Sequence, residues 1–314
     1  MYGNRKALLA PLSTFTNLPF RLLCQEFGAD GTMVPLISAK AVCIRKKPIR
    51  ELDVRKFMEF TYSCERIAGH LDPHPEENFV GVQLFGSSSF DIKTAANIII
   101  RKYDFIKYID INCACPVPKI TRCGAGAALL HTPKTVVDMI MAAKDLGLPI
   151  TIKIRKLKNK EQTLNFCTQC AAAGVDSIHI HGRSAAQGYS GEADWELIHF
   201  ISDNLVVPVV GSGNINSVEQ GRQYLDKYAC AAFMIGRAAM GNPEIFSGIS
   251  TVTKEQKTKI FERYHSICQE YDCLYFTDLK SKAIQFFTGF NGSVSIRRYI
   301  GASKNIDELM KIVK

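Results

Sequence analysis

Short apolar runs recur along the first three quarters of the chain, and between them lie longer stretches whose apolar residues fall at helical rather than alternating spacing. The runs are ALLAP (7–11), GTMVP (31–35), FVGVQLFG (79–86), YIDIN (108–112), PITIKIR (149–155), SIHIHG (177–182), VPVVGSG (207–213) and AAFMIG (231–236). Each has the length and composition of a strand. The intervening stretches include Pro133 to Leu146, with Val136, Val137, Ile140 and Met141 at helical spacing, and Thr163 to Ala173, stopped by Gly174. Eight strand-then-helix units with nothing left over predict an α/β fold, a (β/α)8 TIM barrel, because a doubly wound sheet normally uses fewer strands. After Pro243 the pattern changes. SGISTVTKEQ is loop-like and the rest shows helical spacing only, with Phe261, Tyr264, Ile267, Cys268 and Tyr271 on one face. The expected division is a barrel domain, 1–243, followed by a small C-terminal helical domain, 244–314.

Composition narrows the class. With 314 residues, 46% hydrophobic and 22% charged, the chain can bury a large core, and no apolar run approaches the roughly 18 residues of a membrane helix. The N-terminal MYGNRKALLAPLST has too short an apolar stretch for a signal peptide, so no secretory route is expected. Eleven cysteines, an odd number in a large chain, read as reduced thiols in a cytoplasm rather than as a disulfide framework.

Lysine and arginine outnumber acidic residues 39 to 30, which points to an anionic partner only if the charge clusters. It does so in three places. Lys40 to Lys56 holds seven basic and two acidic residues, Arg155 to Lys160 holds four basic residues in six, and Ile245 to Lys314 holds 11 basic and 7 acidic, with Arg297, Arg298 and Tyr299 together. Such runs ordinarily just solvate a loop. In a barrel, however, the loops after strands two and five open on the face where TIM-barrel chemistry sits, so a polyanion is the expected partner.

The informative polar residues fall on that face too. Asn112 and Cys115 follow the fourth strand, Lys153 and Arg155 end the fifth, and His181 and Arg183 end the sixth. The glycine loops GSGNINS (211–217) and IGRAAMGNP (235–243) follow strands seven and eight, where barrels commonly hold a phosphate on backbone N–H groups. An inward lysine needs an anion, so Lys153 is expected to meet either a bound ligand or a barrel carboxylate such as Asp110. His179 and His181 share one side of their strand; His181, at the rim, is expected to contact a ligand and His179 to lie in the core.

Three cysteines crowd DINCACPVPKITRCGAG (110–126). A zinc site needs about four ligands, and Cys113, Cys115 and Cys123 have none of the usual partners at metal spacing, so no metal is expected. CTQC (167–170) lies within a predicted helix and reads as packing. Cys113 continues the alternation of Ile109 and Ile111 and is expected to face the surrounding helices. Cys115 lies beyond the strand, in a proline-stiffened loop near Lys119 and Arg122, where a positioned thiol can donate or accept a proton.

Four blocks resemble the tRNA-dihydrouridine synthase family of FMN enzymes, which place a helical domain after a barrel. They are APLSTFTNLPFR (10–21), DINCACPVPKI (110–120), IHGRSAAQGYSGEADWELI (180–198), and GSGNI (211–215) with MIGRAAMGNPEIF (234–246). They span the barrel in the family's order. Two departures stand out: Leu12-Ser13-Thr14 replaces Met-Ala-Gly, and Cys113-Ala114 replaces Met-Gly.

The resemblance implies that Pro11, Leu12 and Ser13 line the flavin ring, with Gln83 and Lys153 on its polar edge and His181 alongside. Ser212, Gly213, Asn214, Gly236 and Arg237 would hold the ribityl phosphate. Asn112 would sit close to the flavin and the target base, and Cys115 would be the acid that protonates C5 of a uracil while hydride arrives at C6. NADPH, or NADH, would be the reductant. Lys119, Arg122, Arg155 and Arg183 are the expected contacts to the tRNA phosphates or base, the basic loops and helical tail would dock tRNA, and a monomer is expected. A uracil stacked in folded tRNA would have to be extruded to reach the barrel mouth. Two rival readings are a dihydroorotate-dehydrogenase-type FMN enzyme acting on a small molecule and a non-catalytic RNA-binding barrel; the basic mouth and the Cys-Pro block weigh against the first, Lys153 and the phosphate loops against the second.

Overall fold

In the computed structural model, which describes residues 1–13, 15–45 and 72–314, every strand-like run of the sequence becomes a strand of one parallel sheet. The strands are β1 (Ala7–Leu9), β2 (Thr32–Ser38), β3 (Val80–Phe85), β4 (Tyr108–Cys113), β5 (Ile150–Arg155), β6 (Ser177–His181), β7 (Val209–Ser212) and β8 (Ala232–Ile235). Consecutive strands pair from β2 to β8, and β1 pairs with β8. The remaining gap is bridged where the Leu9 N–H donates to the Gly31 carbonyl at 2.9 Å, so the sheet closes on itself as a TIM-like barrel.

Alternation along each strand divides the apolar residues between two layers. Ile109, Ile111 and Cys113 of β4 and Ile150, Ile152 and Ile154 of β5 face outward and join one large apolar cluster with the helices. Leu8, Met33, Tyr108, Val210 and Met234 form a second cluster that fills the lower barrel. Gly81 makes room for that filling, because a Cβ there would lie 2.2 Å from the Tyr108 ring. Cys167 and Cys170 are fully buried packing residues.

The helices between strands are α1 (Leu18–Glu26), α2 (Ala39–Arg45), α3 (Ser89–Lys102), α4 (Pro118–Thr121), α5 (Pro133–Lys144), α6 (Lys160–Ala172), α7 (Trp195–Asp203), α8 (Val218–Tyr228) and the short α9 (Arg237–Gly241). In α5 the buried stripe is Val136, Met139, Ile140 and Ala143, while Met141 is 58% exposed. The 3.6-residue period carries position 141 past the edge of the face that positions 136 and 140 share, so the apolar face lies slightly off the one expected.

Four helices follow: α10 (Lys254–Glu270), α11 (Phe276–Phe286), α12 (Ser293–Ala302) and α13 (Ile306–Val313). A reciprocal capping box between Thr253 and Gln256 starts α10. Its apolar face packs on the barrel: Phe261 and Tyr264 stack edge-on to Phe286, which meets Phe20 of α1 at 6.1 Å between ring centroids. The barrel and the tail helices thus share a continuous apolar core. No helix among the described residues is long and apolar enough to cross a membrane. Of the basic stretch Lys40 to Lys56, positions 46–56 lie outside the described residues.

Candidate active site

The C-terminal ends of the strands surround a cavity of about 860 Å³, within the range of small-ligand and cofactor sites. Parallel register decides which side chains meet there. Asn112 pairs with Lys153, and two residues further along Arg155 pairs with His181 and His181 with Ser212, so polar groups from β4 to β7 stand side by side at two successive levels. Ala10, Pro11, Leu12, Ser13 and Phe15 from the loop after β1, Asn214 after β7, and Gly236 and Arg237 after β8 complete the wall. β2 shifts register between Val34 and Ile37, and Leu36, at φ 43°, reaches the cavity.

Cys115 stands on this wall, half-buried. Its loop is tied down at three points. The Asn112 Oδ1 accepts the backbone N–H groups of Ala114 at 3.2 Å and Cys115 at 3.0 Å, and the Cys115 carbonyl accepts the Ala127 N–H at 2.9 Å. Gly126, at φ 61°, permits the last contact, since a Cβ there would sit 2.6 Å from the Cys115 carbonyl oxygen. Burial pushes the thiol above its ordinary range, outweighing a backbone hydrogen bond at Val117 and the nearby Arg155 cation. The group is therefore a thiol at neutral pH, and it carries a proton to give.

Lys153 is 7% exposed, and among the described residues no carboxylate lies within ion-pair distance of its Nζ. Asp110 is not its salt-bridge partner. That carboxylate is taken up by Thr151 Oγ1 at 2.6 Å and Gln83 Nε2 at 2.8 Å, with His179 Nδ1 3.2 Å away. Burial brings the Lys153 pKa down to about 8, with Asp110 opposing and Arg155 reinforcing the shift. A buried lysine left without a carboxylate partner at a cavity wall is costly to keep charged.

His181 is held neutral: burial, and then the surrounding Lys153, Arg155, Arg183 and Arg237, lower its pKa to about 2. Its Nδ1 accepts the Arg183 backbone N–H at 3.1 Å, which leaves the proton on Nε2. That edge lies beside Gly213, where a Cβ would come within 3.5 Å of Nε2 and 2.6 Å of the Ala193 Cβ. Gly213, at φ 117°, is a residue only glycine suits, and the rim it forms is bare backbone. Next to it Asn214, at φ 55°, uses its side-chain oxygen to accept the Ala193 N–H.

The cavity brings together Pro11, Leu12, Ser13, Asn112, Cys115, Lys153, Arg155, His181, Ser212, Gly213, Asn214, Gly236 and Arg237 of the expected site residues. Four others stand elsewhere. Gln83 is fully buried with both ends of its amide bonded, to Asp110 and Asn112. Arg183 is turned onto the carbonyls of Ser190 and Gly191 and shapes their loop. Lys119 and Arg122 are exposed on and just after α4, outside the cavity wall. Arg155, although on the wall, spends its guanidinium on the carbonyls of Ala114, Ser184 and Gly188. Elsewhere in that basic loop Lys156 pairs with Asp194 at 2.9 Å and Lys160 caps the Phe200 ring. Several wall residues were given no role in the sequence reading, and Tyr189 is the aromatic one that meets its cations. Tyr189, 54% exposed, has the guanidiniums of Arg237 at 4.5 Å and Arg155 at 5.7 Å from its ring; it lies in the family-like block 180–198, which was the signal that could have found it.

The fold and site define a class: a TIM-like barrel whose mouth combines a proton-bearing thiol, an uncompensated lysine, a neutral imidazole and a bare-backbone rim. Comparison with known proteins narrows it. The family model described as "Dihydrouridine synthase (Dus)" matches residues 8–288, and the chain belongs to that family. It is 31% identical to a probable tRNA-dihydrouridine synthase of Aquifex aeolicus over 98% of this chain and 95% of that protein. It is also 32% identical to tRNA-dihydrouridine synthase B of Escherichia coli K12, over 78% of this chain and 71% of the relative. Among solved structures, a 2-naphthoyl-CoA reductase complex shares the fold at a TM-score of 0.54 and 9% identity, over 77% of this chain and 49% of the other.

Proposed function

We propose that the protein is a tRNA-dihydrouridine synthase, reducing the C5–C6 double bond of uridines in tRNA with FMN at the barrel mouth and NADPH or NADH as the source of electrons. The carrying observation is Cys115, a protonated thiol fixed on the cavity wall beside Asn112. The residues present suit a flavin mononucleotide: Lys153 lacks an anion, His181 offers an N–H, and the Gly213 rim leaves backbone open to a phosphate. Pro11, Leu12 and Ser13 would flank its ring, and Ser212, Gly213, Asn214, Gly236 and Arg237 would hold its phosphate. When bound, the flavin supplies hydride to C6. Cys115 gives its proton to C5, and its raised pKa keeps that proton in place until the base arrives.

Asn112, whose side-chain oxygen orients the Cys115 backbone, sets where the thiol stands. Arg155 braces the same loop through the Ala114 carbonyl and, with Arg237, lies over the exposed Tyr189 ring at the mouth through which an extruded base would enter. Lys119, Arg122 and the cations of 244–314 are the outer phosphate contacts in this reading, so tRNA binding weakens steeply with salt. The protein acts as a cytoplasmic monomer.

The test is Cys115→Ala. Flavin and tRNA binding should persist while dihydrouridine formation falls by about 10²–10⁴-fold, the usual worth of a positioned acid. A variant reducing tRNA at the parental rate would assign the proton to another group. Reduction of free orotate but not tRNA would instead favour the small-molecule reading.

A further inference from the structure

Two fixed polar groups lie at opposite ends of a buried chain of two amides. At the upper end are the backbone N–H groups of Ala114 and Cys115, which can only donate, so the Asn112 side chain must face them with Oδ1. Its Nδ2 then points at Gln83, which must answer with Oε1; the contact is 2.8 Å. That leaves Gln83 Nε2 facing down, where it donates to Asp110 Oδ2 at 2.8 Å. The Asp110 carboxylate is the lower fixed group, accepting also from Thr151. All three of Gln83, Asp110 and Asn112 are 3% exposed or less, so water offers no alternative partner. Only one orientation of both amides satisfies both ends.

We propose that Asp110 is a positioning residue: it sets the direction of the Gln83 and Asn112 amides and, through them, seats the Cys115 loop at the cavity wall. The idea rests on the reading of Cys115 as the proton donor. Register makes it possible, since Gln83 pairs with Asp110 across β3 and β4 and the two therefore share one barrel level. An amide has one acceptor oxygen where the carboxylate has two; with that oxygen kept on the side where Asp110 Oδ1 meets both Thr151 and His179, its Nδ2 faces Gln83, Gln83 turns over, Gln83 turns Asn112 over, and the Asn112 Nδ2 then confronts two N–H donors. The loop loses its anchor. Moving the carboxylate one place along the chain should repair this: with Asp110→Asn and Gln83→Glu together, residue 110 donates to residue 83, residue 83 accepts from Asn112, and the Asn112 oxygen again faces the backbone.

The test reads the seat of the thiol as well as turnover, in the purified flavin-loaded protein. Cys115 alkylation by iodoacetamide is followed by mass spectrometry of its peptide. Asp110→Asn should speed it about tenfold, because a thiol released from burial toward solvent ionises more readily and meets the reagent more often, and should cut tRNA reduction by about 10–10²-fold. The double variant should return the alkylation rate to within about twofold of the parental value, because the thiol is seated as before. Thr151→Val removes a bond to the same carboxylate but leaves the amides alone; it should lower the melting temperature and leave alkylation unchanged. Parental alkylation in Asp110→Asn overturns the proposal, as does failure of the double variant to restore it, or Thr151→Val behaving like Asp110→Asn. If Asp110→Asn does not fold, Gln83→Met breaks the same link and carries the same expectation. Alkylation needs no turnover, so a parental protein that left tRNA uridines unreduced would sink the functional reading and leave this test intact.

Discussion

Among the described residues three lysines are buried, and two of them, Lys282 and Lys153, are handled in opposite ways. Lys282 of α11 is fully buried, but its Nζ lies 3.0 Å from Asp278 and over the rings of Phe15 at 4.2 Å, Tyr264 at 5.8 Å and Phe20 at 5.9 Å. Asp278 in turn accepts from Tyr264 Oη at 2.6 Å and Asn17 Nδ2 at 3.0 Å. Its charge is answered from within the protein. Lys153, at the barrel mouth, has no such partner, and its depressed pKa records that lack. The difference separates a cation answered inside the fold from one left facing a cavity: the first joins the tail helices to the loop that carries Phe15, the second stands on the cavity wall that Phe15 also lines.

The strongest way to break this contrast is to remove the answer to Lys282. Asp278→Asn keeps a group of nearly the same shape for Tyr264 and Asn17 but leaves a buried ammonium uncompensated, an arrangement that costs about 3–5 kcal/mol. Chemical denaturation of the variant should show that loss. A cost below about 1 kcal/mol, the range of exposed pairs, would mean the aromatic rings alone satisfy Lys282.

Lys153→Met should act in the opposite direction. In the flavin-free protein the parental lysine stays charged below its folded pKa of about 8, while in the unfolded chain it stays charged up to its ordinary value of 10.5. The folded state therefore carries a full penalty below pH 8, and the penalty fades as pH rises toward 10.5. The shift corresponds to on the order of 3 kcal/mol. The methionine variant should thus be more stable than the parent by up to that amount at pH 7, with the gap closing between pH 8 and 10.5, and should lose the visible absorbance of bound flavin. Taking the difference between the two proteins removes the many thiols and phenols that also titrate above pH 8.

How much of this was legible beforehand follows from what each feature depends on. The strands were visible because β-branched runs buried on both faces stand out from their surroundings, and a strand end points to a mouth wherever a barrel forms; Lys153, His181 and Cys115 were found in that way. Lys282 was not. Asp278 and Lys282 lie four apart on a helix, a spacing that carries no sign of burial, and docking of α11 against Phe15 and Phe20 is what buries them. The amide chain was hidden for a related reason: Gln83, Asp110 and Thr151 lie on three strands and meet only through register. The charge run 155–160 registers as local density, whereas Arg155 is consumed by the carbonyls of Ala114, Ser184 and Gly188, and Lys156 by Asp194.

The contrast sharpens at the edge of the same interface, where Arg263 of α10 reaches across to Glu26, the last residue of α1, with Nε to Oε2 at 2.9 Å, and to Glu270 with Nη1 at 2.7 Å. By geometry this bidentate, two-carboxylate cluster is better formed than the single contact of Lys282. By exposure it is far worse placed, since the side chains of Arg263, Glu26 and Glu270 are 40%, 41% and 49% accessible. Water and salt already solvate each of these charges in the unfolded chain almost as well as the partners do here, so the pair gains little and its loss strands nothing in the interior. Arg263→Gln, which keeps most of the stem packed on the helix, should therefore cost no more than about 1 kcal/mol and less still at high salt. If urea titrations of Arg263→Gln and Asp278→Asn gave equal losses, burial would not be what distinguishes the two ion pairs, and the division between structural and cavity-facing cations would have to rest on something other than solvent access.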